Sequence, residues 1–354
     1  MAAPTRTISA EKAAARRSFY EQIARQNLAP LWERLSGLVT RTPQPAAVPV
    51  HWRYSAVRPH LFAAGALLTA EEAERRVLVL ENPGLPGQSK VTGSLFAGLQ
   101  LLMPGEHAHA HRHTANALRL FLEGSRAYTT VDGERTDMHR GDMVLTPNWC
   151  VHEHGNDGAE PVVWLDGLDV PIVNLFNTSF SEAHEDVDAP APRAIGDSEA
   201  RYGGTLLPEG RAPESHSSPL LNYRYERTRD TLAALQHNGP IDPCHGVKLR
   251  YANPITGGAV LPTISAAAQL LPAGFETVPY RSTDGTVFIA VEGKGRSLIA
   301  GAAFDWKEND IFVAPSWALQ QHRAETEAVL FSFSDRVAQE KLGIWREERN
   351  PAAS

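Results

Sequence analysis

The sequence predicts an all-β-dominated fold: two similar β-barrels behind an N-terminal helical segment. Three observations predict it. From about residue 90, short apolar runs such as LRLFLEG and PVVWLDGLD alternate with Gly, Pro and Asp turns, and a block of the same texture runs from about 255 to 336. Short strands at that spacing build barrels or sandwiches. The two blocks also repeat each other. Gln100-Leu-Leu-Met-Pro-Gly reads against Gln269-Leu-Leu-Pro-Ala-Gly, each 11 residues before a landmark, His111 or Tyr280, and Asp142, Pro147 and Trp149 recur as Asp310, Pro315 and Trp317. An internal repeat of this length with unbroken spacing means duplication. Finally, histidines crowd one strand of the first block and are largely replaced in the second.

In chain order, residues 9–37 carry Phe19, Ile23, Leu28 and Leu31 at roughly helical spacing, with a break at Pro30. Thr69 and Glu72 form a capping box, which predicts a helix from Ala70 toward Leu80, stopped by Asn82-Pro83-Gly84. Val131-Asp132-Gly133-Glu134 is a hairpin turn. Residues 182–218, rich in Ala, Pro, Ser and acids, read as a linker. The expected division is a helical region (1–88), a metal-binding barrel (89–181), a linker with a helix (182–254), a second barrel without ligands (255–337) and a tail (338–354).

Composition narrows the function classes. The 354 residues carry a net charge of −7, with no basic footprint for nucleic acid. Cys150 and Cys244 make neither a CxxC pair nor a disulfide framework. The N-terminus lacks the apolar core of a signal peptide, and no run of about 18 apolar residues suggests a membrane span. A cytoplasmic location is the resulting expectation.

The chemistry lies in Gly105-Glu-His-Ala-His-Ala-His-Arg-His113. On a regular strand His107, His109, His111 and His113 share one face. Neighbouring imidazoles need a third ligand from another strand, and His152 is the natural candidate. The spacing resembles the two motifs of the cupin superfamily: Gly105, then His111, His113 and Gly124, and Gly141, then Pro147, His152 and Asn156. Trp149 stands where cupins usually have Gly, and Ala117 stands where their Glu ligand would fall. The reading is therefore a three-His metal site of His111, His113 and His152, whose open positions suit oxygen chemistry at a non-haem iron(II). His107 and His109 read as a strand end or as partners of the ligands, His139 as a turn residue, and Cys150 as packing rather than a nucleophile. In the second block Tyr280, Ser282 and Gln320 replace the three ligands, and the retained His322 reads as a hydrogen-bonded structural residue.

Two cupin motifs, the runs PGE…AHRHTANALRLFLEG, GERTDMHRGDMVLTPNW…HEHGN and PVVWLDGLDVP, and a helical N-terminus together resemble the gentisate 1,2-dioxygenase family, which includes salicylate and 1-hydroxy-2-naphthoate dioxygenases. The resemblance implies a bicupin, meaning two double-stranded β-helix (jelly-roll) barrels. It further implies one Fe(II) per subunit, dioxygen and a small aromatic hydroxy acid as substrates, a homotetramer, and ring cleavage of gentisate to maleylpyruvate. Arg119, an even step from His113, is expected to face the interior and pair with substrate carboxylate or with Asp166. His154 shares the face of His152 and is a candidate hydrogen-bond or acid/base group, with Asp166 orienting its neighbours. Arg75 resembles an N-terminal Arg that reaches the substrate, and Gln100, Phe96 and Gly98 are candidate pocket residues. Cleavage of salicylate or 1-hydroxy-2-naphthoate is the alternative within the family. A cupin metal isomerase or binding module is the alternative outside it.

Overall fold

The computed structural model describes residues 9–183, 185, 188, 190–210 and 215–351. Strand Ala117–Glu123 shows why the apolar runs read as continuous: six of its seven residues are buried. Val162–Leu168, its antiparallel neighbour, is buried in the same way. Such strands lie in a sheet covered on both faces. Ala127–Val131 and Glu134–Met138 instead alternate buried with half-buried residues, as a sheet with one wet face requires.

The first barrel faces two sheets against each other. One has the spatial order Asn222–Tyr223, Met143–Thr146, Ala117–Glu123, Val162–Leu168, Phe96–Leu102 and Val77–Val79. The other runs Ser181–Glu182, His107–His113, His152–Asn156, Ala127–Val131 and Glu134–Met138. The second barrel repeats this. Its six-stranded sheet runs Val50–Trp52, Ile311–Ala314, Thr286–Glu292, Ala328–Ser334, Ser265–Leu271 and Val247–Arg250. Its five-stranded sheet runs Ala302–Lys307, Lys294–Ile299, Gln320–Ala324, Tyr280–Ser282 and Glu347–Arg349. Leu99, Leu118, Leu145 and Leu165 of the first large sheet share one apolar core with Ala266, Leu270, Ile289 and Phe331 of the second. The main core therefore lies between the barrels, and each barrel carries a smaller apolar cluster of its own beside its polar interior residues.

The repeat begins earlier than the apolar runs. His51-Trp52-Arg53-Tyr54 and Asn222-Tyr223-Arg224-Tyr225 are equivalent, and each leads from a short strand into a helix, Tyr54–Leu67 or Tyr225–Asn238. The short strand joins the other repeat's sheet: Val50–Trp52 pairs with Ile311–Val313, and Asn222–Tyr223 with Met143–Val144. Each helix start is then held twice. Tyr54 N donates to Asp310 Oδ1 (2.8 Å) and Tyr54 OH to Glu123 Oε2 (2.7 Å). Tyr225 N donates to Asp142 Oδ1 (2.8 Å) and Tyr225 OH to Glu292 Oε1 (2.7 Å).

Residues 9–44 form a separate unit of two helices, Ala10–Ala24 and Leu31–Leu38. The break falls at Asn27, in the left-handed region at φ 57°, and Pro30 becomes the cap of the second helix. The helix expected from Ala70 toward Leu80 does not form. Its capping box does: Thr69 N donates to Glu72 Oε2 (2.9 Å) and Glu72 N to Thr69 Oγ1 (3.1 Å). Beyond it Glu74 turns at φ 51°, and Val77–Val79 joins the first sheet opposite Gly98–Gln100. The β-branched pair wins a sheet edge that outweighs one favourable helix start. The helix that does precede the barrel, Tyr54–Leu67, contains Pro59, which hid it from the pattern.

Candidate active site

His111, His113 and His152 meet inside the first barrel, with one ligand atom from each lying within 4.8 Å of the others. Each ring is oriented by its own backbone. Nδ1 of His111 lies 3.0 Å from the His109 carbonyl, Nδ1 of His113 lies 2.9 Å from that of Ala115, and Nδ1 of His152 lies 2.9 Å from that of Cys150. A carbonyl can only accept, so each Nδ1 carries the proton and each Nε2 presents a lone pair. His152 Nε2 is buried with no partner among the described residues. Burial first, then neighbouring cations, holds His111 down to about 3 and His113 down to about 4, and pushes His152 well below the usual histidine range. Neutral imidazoles aimed at one point fit a metal ion.

The strand that supplies two of them is not regular. Ala108 pairs with His154 and His111 with His152, so three steps on one strand answer two on the other. This β-bulge shifts the alternation by one residue. Four histidines were expected on one face; the bulge leaves His111 and His113 inside and turns His107 and His109 away. His107 Nε2 lies 3.1 Å from Glu153 Oε2, and exposed His109 supplies the carbonyl for His111. Trp149, at the position of the usual glycine, does adopt a left-handed φ of 62°, and Trp317 matches it. Its ring lies under the Arg112 guanidinium (4.7 Å) and against Phe180 (4.6 Å), contacts that offset the strain of that backbone. Burial and Asp132 raise the Cys150 thiol, so it stays protonated and is no nucleophile. His139 lies in the turn after Glu134–Met138, its backbone N donating to Asp142 Oδ2 (3.1 Å).

Arg119, Asp166 and Gly98 sit opposite one another on three adjacent strands and so face the same interior. Arg119 Nε lies 3.0 Å from Asp166 Oδ1, close enough for an ion pair although its N–H is not aligned for a hydrogen bond. The guanidinium also donates to Thr146 Oγ1, and Trp164 Nε1 donates to both Asp166 oxygens at 3.2 Å. Burial pushes Asp166 up and Arg119 pulls it back down. His154 is buried, with Nδ1 3.0 Å from Thr129 Oγ1 and Nε2 unpartnered among the described residues. Gln100 stands opposite Trp164 with its Nε2 unpartnered among the described residues, and Phe96 lies two pairs along the same face.

Arg75 lies in the turn before Val77–Val79 rather than on a helix. It is exposed, yet its charge acts on His111, His113 and His154 and is attracted by Asp166. It makes no ion pair among the described residues. The next residue, Arg76, is buried; it pairs with Glu106 and donates to the carbonyls of Leu68 (2.7 Å) and Leu101 (3.2 Å). That anchor fixes the turn that carries Arg75. Sequence reasoning missed it, since neither Arg76 nor Glu106 belongs to a ligand pattern. A cavity of about 780 Å³ lined by Asn148, Cys150, Ile172 and Pro219, with Asp132, Asp169 and Arg193 also in its walls, includes none of His111, His113 and His152.

The cupin domain family matches residues 98–169. Gentisate 1,2 dioxygenase 1 of Aquipseudomonas alcaligenes is 51% identical over 335 residues, covering 95% of this chain and 96% of that protein. The 5-aminosalicylate 1,2-dioxygenase of a Comamonas species is 36% identical over 94% of this chain and 89% of its own. Among solved structures, a salicylate 1,2-dioxygenase from Pseudaminobacter salicylatoxidans superposes with a TM-score of 0.89 at 35% identity, covering 98% of this chain and 99% of that one. With a two-barrel fold, a three-histidine centre and this level of identity, the chain belongs to the gentisate 1,2-dioxygenase family of cupins and is a ring-cleaving dioxygenase.

Proposed function

We propose that the protein is an iron(II)-dependent gentisate 1,2-dioxygenase, opening the ring between the carboxyl-bearing carbon and the adjacent hydroxyl-bearing carbon to give maleylpyruvate. One iron per subunit would be held by His111, His113 and His152. The observation that carries this is the triad: three neutral imidazoles presenting Nε2, with buried Ala117 where a carboxylate ligand would stand. A ferrous ion supplies the coupling to dioxygen that no side chain provides. Arg75, accessible and without an ion pair among the described residues, receives the substrate carboxylate. Arg119 is already paired with Asp166, so its part is to hold the shape and hydrogen-bonding of the pocket wall. Neutral His154 takes the ring hydroxyl on Nε2 and can accept its proton. Gln100 Nε2 offers a donor on the same face, and Phe96 and Gly98 form a flat wall. A Cβ at Gly98 would meet the Phe96 ring at 3.2 Å. The family resemblance supports a cytoplasmic homotetramer.

The likeness to a salicylate 1,2-dioxygenase favours one second reading, turnover of rings without the para hydroxyl. The test is anaerobic reconstitution with iron(II), addition of gentisate, salicylate or 1-hydroxy-2-naphthoate, and admission of air while oxygen uptake and product mass are recorded. One oxygen molecule consumed per gentisate ring, and none in His111→Ala, is the expected result. Uptake with salicylate but not gentisate would select the second reading.

A further inference from the structure

The second barrel has lost its metal ligands but not its site. Its interior holds a cavity of about 310 Å³, at the lower edge of the roughly 300–1,000 Å³ typical of small-molecule pockets. Two groups of the first site persist. Gln269 faces the interior as Gln100 does. His322 stands where His154 does, with Nδ1 2.8 Å from Ser297 Oγ in place of Thr129. The ion pair is gone: Phe288 occupies the register position of Arg119, and Ser332, directly opposite, that of Asp166.

A cation arrives instead from another strand. Lys248 lies opposite Gln269, where the first barrel has Val77 opposite Gln100. It lines the cavity, reaches solvent there, and makes no ion pair among the described residues. The acids nearby attract Lys248 without pairing with it, and each is held by another donor. Asp284 accepts from Trp345 Nε1 (2.9 Å), Glu347 from Tyr280 OH (2.9 Å), and Asp242 is paired with Arg349 at 2.5 Å. Two buried polar atoms in the same lining have no partner among the described residues: Gln269 Nε2, which can only donate, and Gln320 Oε1, which can only accept. Orphaned buried amide atoms cost free energy unless something completes them.

We propose that the second barrel is a binding site for a small hydroxycarboxylate anion. Its carboxylate accepts from Lys248 Nζ and Gln269 Nε2, its hydroxyl donates to Gln320 Oε1, and its carbon frame lies along Phe288. One monoanion satisfies Lys248, the donor and the acceptor together, with Arg250 beside Lys248 in the same lining. This inference uses no metal and does not rest on the reaction of the first barrel.

Equilibrium dialysis of the full-length protein against salicylate, benzoate and phenol tests it. Salicylate should fill a site that Lys248→Met removes and Gln320→Glu weakens at least tenfold. Benzoate, lacking the hydroxyl, should bind that site about tenfold more weakly, the value of one hydrogen bond. Phenol should not bind it. Unchanged salicylate stoichiometry and affinity in both folded variants overturns the proposal. Should either variant fail to fold, a crystal of the wild-type protein in saturating salicylate decides: density with its carboxylate at Lys248 supports the site, and water alone in the cavity overturns it. Failure of the first-barrel reading would show separately, as absent oxygen uptake in protein that still loses a salicylate equivalent on Lys248→Met.

Discussion

His152 concentrates the chemistry of the first barrel in one ring: its Nδ1 is spent on the Cys150 carbonyl and its buried Nε2 has no partner among the described residues. His152→Ala should therefore abolish metal binding and lower turnover by more than about 100-fold, since loss of mere supporting partners of a ligand already costs 10–100-fold. Metal content per chain and oxygen uptake measure it together. Arg119 and Arg75 separate in the same way. Arg119→Met strands buried Asp166 and should destabilise by about 3–5 kcal/mol. Adding Asp166→Leu should recover most of that stability in urea titrations without restoring activity. Arg75→Gln should leave the urea midpoint in place and raise KM. A pH effect sits at His322, whose partners are Ser297, Phe288, Phe312 and the charge of Lys248. Burial first, then Lys248, holds it down to about 3, against about 6.5 when unfolded. The unfolded chain thus takes up the proton first as pH falls. Stability present above pH 6.5 is lost progressively toward pH 3. Melting temperature should fall more steeply from pH 6.5 to 4 in wild type than in His322→Gln; parallel slopes would show that His322 does not stay neutral in the folded protein.

Among elements, the decisive feature is the bulge in His107–His113. Period-two reasoning groups four histidines correctly as a strand and wrongly as a face, because one extra residue reverses inside and outside. Nothing in Ala108-His109-Ala110 marks that residue; only pairing with His152–Asn156 reveals it. The capping box at Thr69 teaches the same lesson, since a local signal is satisfied while the following residues go to a sheet edge. The turns that close each long strand are more legible. Gly124 (φ 98°) and Gly293 (φ 78°) are equivalent, and a Cβ on either would lie 2.6 Å from Pro161 O or 2.3 Å from Glu327 O. Gly124→Ala and Gly293→Ala should each cost about 1–3 kcal/mol, read as a lowered urea midpoint.

At the scale of residues 45–354, the two repeats exchange their leading strands, and the main apolar core lies between the two large sheets. Neither barrel keeps a complete sheet without the other. Calorimetry should therefore show this part of the chain unfolding in one cooperative transition. Two transitions of comparable enthalpy would mean that the exchanged strands carry little of the coupling. Asp142→Ala and Asp310→Ala, each removing a hydrogen bond that starts the helix leading into the other repeat's barrel, should lower the transition temperature by similar amounts.

By itself the sequence determined the duplication, the β texture, the three histidines that the fold brings together and their replacement in the second repeat. These depend on residue identity at constant spacing, which a folded strand preserves. The tertiary structure decided which side of the bulge each histidine faces, that Arg119 is engaged by Asp166 while Arg75 is left open, and that Lys248 enters the second barrel opposite Gln269. Those facts depend on pairing between strands far apart in the chain. The physical reason is that register across a sheet sets which charges share an interior, and no local pattern encodes the register of a distant partner.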